Sequence, residues 1–90
     1  MTYYPIGTVV TLIGGNRPIM IYGRKQRQQN TGITWDYVAC LYPEGNISDT
    51  ETLFFQHDEI GEVLFEGYKS ELELQMLGLF IGLRLSGIHR

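Results

Sequence analysis

The chain has 90 residues, 43% of them hydrophobic and 19% charged, with eleven aromatics. That is one small domain with enough apolar material to collapse, which excludes multidomain enzymes, large cofactor folds and disordered polar tails. The net charge of −3 is unevenly spread: residues 1–35 carry +4 with no acid, residues 36–73 carry −9, and the remainder adds Arg84 and Arg90. An acidic majority of this kind argues against a phosphate-backbone binder, whose affinity comes from clustered Lys and Arg, and suits a protein partner instead. A lone cysteine, Cys40, with two histidines leaves no internal disulfide and no four-ligand zinc framework, so neither metal nor cofactor is expected. With so small a core, oligomerisation or a partner becomes the expected supplement.

Met1 to Pro5 leads directly into a glycine-punctuated strand pattern without a basic and then apolar leader, so a cytoplasmic protein with a reduced Cys40 is expected. The β-branched run 8–13 reads as a first strand that stops at Gly14-Gly15-Asn16, whose residues tolerate positive φ. A second strand follows over 18–24, making a β-hairpin. Residues 24–34 are polar and read as a long exposed connection, with a strand extension at its start. The aromatic-rich stretch 35–42 predicts a third, central strand ended by the turn residues Pro43-Glu44-Gly45-Asn46. On it, Trp35, Tyr37 and Leu41 share one face by period two, with Val38 and Cys40 on the other. Strands are further expected over 52–56 and 62–66, separated by a short helical turn at 57–60 capped by Asp58 or His57. The fold class is therefore mainly β with α. A small antiparallel bent sheet or SH3-like barrel over 1–69 is joined, within one domain, to a C-terminal α-helix in 70–90.

That helix is announced by Ser70-Glu71-Leu72-Glu73, the spacing of a capping box, and extends to about residue 85. An alternation of period two over 71–76 and the glycines at 78 and 82 leave a strand as the alternative. Wound at 100° per residue, the tail carries two apolar arcs: Leu72, Met76, Leu79, Phe80 and Leu83 on one, and Leu74, Leu77, Ile81 and Leu85 on the other. One small β domain can cover only one of them. The second arc is flanked by Gly78 and Gly82, where another helix could approach closely. Leu74, Leu77, Gly78, Ile81, Gly82 and Leu85 are accordingly the candidate partner-binding residues, for a homo-oligomer or for a helical partner. The uncharged run 74–83 is about half of what a bilayer requires, so no membrane span is expected.

Catalytic chemistry finds little support. Cys40 sits mid-strand as a small hydrophobe, His89 is next to last, and His57-Asp58-Glu59 are consecutive residues that rarely converge on one point. No catalytic residue and no enzyme activity is expected. The basic cluster Arg24-Lys25-Gln26-Arg27 lacks interleaved aromatics and reads as a solvated hairpin tip, although small barrels with basic loops do bind single strands.

Tyr4-Pro5-Ile6-Gly7-Thr8-Val9-Val10, Leu12, Gly14-Gly15, Met20-Ile21, Gly23-Arg24, the block Trp35 to Gly45 and Val63-Leu64-Phe65-Glu66-Gly67-Tyr68 together resemble one family. It is a group of small Gram-positive bacterial proteins of unknown function, commonly encoded beside type VII secretion genes and LXG-type toxins. The likeness covers roughly residues 4–68, and its most specific part is Asp36-Tyr37-Val38-Ala39-Cys40-Leu41-Tyr42-Pro43-Glu44-Gly45. It implies a non-enzymatic accessory role, an adaptor or chaperone handling such a toxin, with a toxin immunity protein or a small nucleic-acid-binding barrel as alternatives. The tail departs from the family's charged, acidic ending, having Leu, Met, Phe and Gly in its place.

Overall fold

The computed structural model describes residues 2–86, with the backbone alone described at 49 and at 80–86. Strands β1 (Val9–Leu12), β2 (Ile19–Arg27), β3 (Thr34–Leu41), β4 (Leu53–Phe55) and β5 (Ile60–Phe65) precede one helix, α1 (Glu71–Ser86). Every pairing is antiparallel, and the strands lie in the order β4-β3-β2-β1-β5. The sheet is open, with β4 and β5 as its two edges, so the bent-sheet form of the expected fold is the one adopted and the barrel is not closed. Register shifts interrupt β1 against β5 at two places and β2 against β3 between Ile21 and Gly23. Such bulges bend a strand and increase its twist.

Between β2 and β3 the expected exposed connection is largely ladder. Arg24 pairs with Tyr37, Gln26 with Trp35 and Arg27 with Thr34. The Gln28 N–H then closes the hairpin onto the Ile33 carbonyl at 2.8 Å. From Gln26 onward this end of the hairpin projects into water, and the polarity of the stretch hid the strand from a reading based on apolar periodicity. Backbone pairing needs no apolar side chain.

One face of the sheet builds the core from Val10, Ile19, Ile21, Tyr37, Ala39 and Phe55, closed by Tyr3 from the N-terminal segment and Leu77 from α1. Tyr37 is fully buried as expected, but Trp35 and Leu41 are only half-buried. Trp35 lies against Phe54 at 6.3 Å between centroids, and its indole N–H donates to Gln28 Oε1. Val38 and Cys40 are buried on the reverse face. Residue 67 must be glycine for steric reasons. Its N–H donates to Thr8 Oγ1 at 3.0 Å, and a Cβ there would run into the Ile6 carbonyl. The chain therefore closes tightly on its own N-terminal segment just before α1 begins.

Candidate functional site

The helix meets the sheet at a small polar and aromatic cluster. Ser70 Oγ accepts the Glu73 N–H at 3.1 Å, which is one half of the expected capping box. The Glu73 carboxylate turns to Arg24 on β2 instead, in a bidentate pair of 2.5 and 2.8 Å with both side chains buried. Arg24 also donates to the Tyr4 carbonyl at 3.2 Å. Its planar fork matches a carboxylate, and in a site this dry the second bond to the backbone helps to compensate lost hydration. Lys25, at a positive φ of 53°, lies 5.6 Å above the Tyr3 ring. Two of the bases read as a solvated tip are thus engaged inside the molecule; Arg27 is exposed.

Next to this pair, the Tyr37 hydroxyl accepts the Tyr4 N–H at 3.0 Å and lies 2.7 Å from His57 Nδ1. Asp36 accepts the His57 N–H at 2.8 Å and the Tyr3 hydroxyl at 3.2 Å. The Tyr4 and His57 rings stack 5.4 Å apart. Burial away from water, with the charge of Asp36 adding to it, raises the Tyr37 phenol well above its ordinary range against the opposing Tyr4 N–H. A phenol kept protonated serves as a fixed hydrogen-bonding post, and the cluster ties β3, the N-terminal segment and the 3-10 turn His57–Glu59 together. That turn is capped by Gln56, whose N–H donates to the Glu59 carboxylate at 2.7 Å, and not by Asp58 or His57. Sequence reasoning missed the cluster because Tyr3, Tyr4, Asp36, Tyr37 and His57 are far apart in the chain. The adjacent aromatics at 3 and 4 ahead of a strand were the available signal. Cys40 is buried, with its Sγ directed to the Met20 carbonyl at 3.8 Å.

From this foot α1 extends with most of its described apolar surface in water. Glu73 and Leu77, one turn apart, face the sheet. Leu72, Met76 and Leu79, at spacings of four and three, form an exposed row, with Leu72 at 76% and Leu79 at 61% of full exposure. Of the candidate partner-binding residues, Leu77 is therefore core, which removes it from any surface open to a second chain. Leu74 is exposed, and Gly78 borders open space, with nothing within 4 Å of the point a Cβ would occupy. The side chains of Ile81 and Leu85 lie outside what is described, and of Gly82 the helical backbone alone is described. Among the described residues the first arc is exposed at Leu72, Met76 and Leu79, while the second is split, with Leu77 turned inward beside the bond between Arg24 and Glu73 and Leu74 facing water.

A second exposed apolar zone lies on β5, where Val63, Leu64 and Phe65 are all exposed in succession. Beside it, Val9, Pro18, Met20, Tyr42, Leu64 and Phe65 line an open cavity of about 410 Å³ on the reverse face of the sheet. Residues 3–76 match the family described as a domain of unknown function, DUF4176. The chain belongs to that family. Neither the curated proteins nor the solved structures offer a match to it. In this DUF4176 chain no helix among the described residues is long and apolar enough to cross a membrane. Nor do three or more His, Cys, Asp or Glu side chains gather among them in a metal-holding group.

Proposed function

We propose that the protein is a non-enzymatic interaction module that presents α1 to a partner chain. The observation that carries this reading is the exposed row Leu72, Met76 and Leu79 on a helix fixed to the sheet through Glu73 and Leu77. Each large apolar side chain gains about 1.5–3 kcal/mol on full burial, and spacings of four and three are those of helix anchors in an apolar groove or against a second helix. The resemblance drawn from the motifs supports a narrower role, that of accessory adaptor or chaperone for a type VII secretion toxin of the LXG type. The partner surface would then be an amphipathic helix of that toxin.

The test is co-expression of the tagged chain with an LXG-type toxin, comparing wild type with the pair Leu72→Gln and Leu79→Gln. Co-purification of wild type and its loss in the folded variant supports the module. Equal capture by both, or capture by neither, overturns it. Rescue of growth without any effect on toxin export would assign the immunity role instead.

A further inference from the structure

We infer that the outer edge of β5 is a second docking site, which takes an extended segment of a partner protein as a sixth strand, apolar at alternate positions and bearing Lys or Arg between them. The inference rests on the interaction-module reading and adds a contact separate from α1.

Three observations carry it. The two edges of the sheet differ: β4 is three residues long and enclosed between 3-10 turns, whereas β5 runs for six residues with Val63, Leu64 and Phe65 exposed. Edge strands in soluble proteins are usually short, charged or covered, because unpaired N–H and C=O groups recruit other strands. The β5 edge also adjoins the apolar cavity of about 410 Å³, whose wall Leu64 and Phe65 share with Val9 and Met20. A strand laid on β5 could place one apolar side chain there, with backbone bonds giving affinity and the pocket giving selectivity.

The charges choose among occupants. Glu62 on β5 has no salt bridge among the described residues, and Glu66, just past the end of the strand, is paired with Lys69 at 2.8 Å in a half-exposed pair. A second copy docking β5 against β5 about a two-fold axis would bring the Glu62 and Glu66 carboxylates of both chains together, and like charges across a ladder are destabilising. A strand carrying Lys or Arg instead meets those carboxylates with opposite charge.

The experiment titrates the full-length protein calorimetrically with synthetic octapeptides: one alternating valine and lysine, one alternating valine and glutamate. A third is the valine–lysine peptide N-methylated at every second amide. The lysine peptide is expected to bind at least about tenfold more tightly than the other two, because methylation keeps charge and side chains but removes the ladder bonds. Glu62→Lys, with its fold checked by circular dichroism, should erase the preference for lysine over glutamate. Equal binding of the methylated peptide, or no binding of the lysine peptide at millimolar concentration, overturns the inference. The variant Leu72→Gln with Leu79→Gln should bind peptide as wild type does. Peptide failure with helix-dependent capture intact therefore sinks the edge site alone, whereas capture failure with peptide binding intact sinks the helix reading alone.

Discussion

Up to Phe55 the chain supplies nearly all of the buried core and exposes large apolar side chains singly, at Ile6, Ile13, Tyr22, Ile33, Tyr42 and Ile47; over residues 60–79 it exposes them in runs. Tyr3, Val10, Ile19, Ile21, Tyr37, Val38, Ala39, Cys40 and Phe55 are all buried. Between residues 60 and 79, Leu77 is the sole large apolar side chain that is buried, while Val63, Leu64, Phe65, Tyr68, Leu72, Leu74, Met76 and Leu79 are exposed. The two regions do not differ in apolar content as much as in what lies opposite. Strands β2 and β3 each have a strand on both sides and an N-terminal segment or helix above them. β5 and α1 have a neighbour on one side only. Isolated exposed hydrophobics are ordinary, and it is the run of them on adjacent elements that supports the proposed docking surfaces.

The strongest way to break the comparison is to truncate equivalent residues in the two regions and follow urea unfolding. Phe55→Ala should cost about 3–5 kcal/mol, the range for emptying a packed aromatic site. Phe65→Ala should stay within about 0.5 kcal/mol, as for surface positions. Equal losses would mean that β5 belongs to the core. Arg24→Ala should come next, at about 1–3 kcal/mol, since Glu73 is left without its partner but can hydrate if α1 swings outward. Arg24→Met with Glu73→Met should recover most of that loss, because an apolar pair needs no compensation for lost hydration.

A smaller effect follows pH. An unfolded tyrosine ionises near 10, and Tyr37 in the folded chain does so only at higher pH. The native state thus holds this proton longer, and the contribution is present in full below about pH 10 and fades as pH rises beyond it. The slope from this one group should approach roughly 1.4 kcal/mol per pH unit and should be absent in Tyr37→Phe. A slope unchanged in that variant would assign the alkaline loss to other groups. The least effect on stability is expected for Leu72→Gln with Leu79→Gln, within about 0.5 kcal/mol per site. A clearly cooperative destabilisation there would show that the row is covered by the chain's own fold.

Much of the β region was legible because its signals are local. The β-branched run at 8–13, the glycine turn at 14–16 and the aromatic strand at 35–42 place β1 to β3 to within a few residues of where they form. The helix start was legible in Ser70 and Glu73, yet only half of the capping box forms. Arg24 claims the Glu73 carboxylate, and a partner 49 residues away leaves no mark in local spacing. The same reason hid the Tyr37 and His57 contact and the inward turn of Leu77. Periodicity says that a helix has apolar arcs but not which of them a distant ion pair will turn inward. The edge character of β5 was equally invisible, since strand order depends on closure against β1 through Gly67, not on the composition of β5.

The fork between Arg24 and Glu73 has a kinetic consequence. Two parallel bonds resist rotation about the helix axis in a way that one bond does not, so α1 is held at a fixed azimuth before any partner arrives. Under the proposed function, less rotational freedom would then be left to freeze on association, and a larger share of encounters would meet the row Leu72, Met76 and Leu79 in a productive orientation. Replacing Glu73 with Gln, which keeps the shape but weakens the fork, should slow complex formation more than it hastens dissociation.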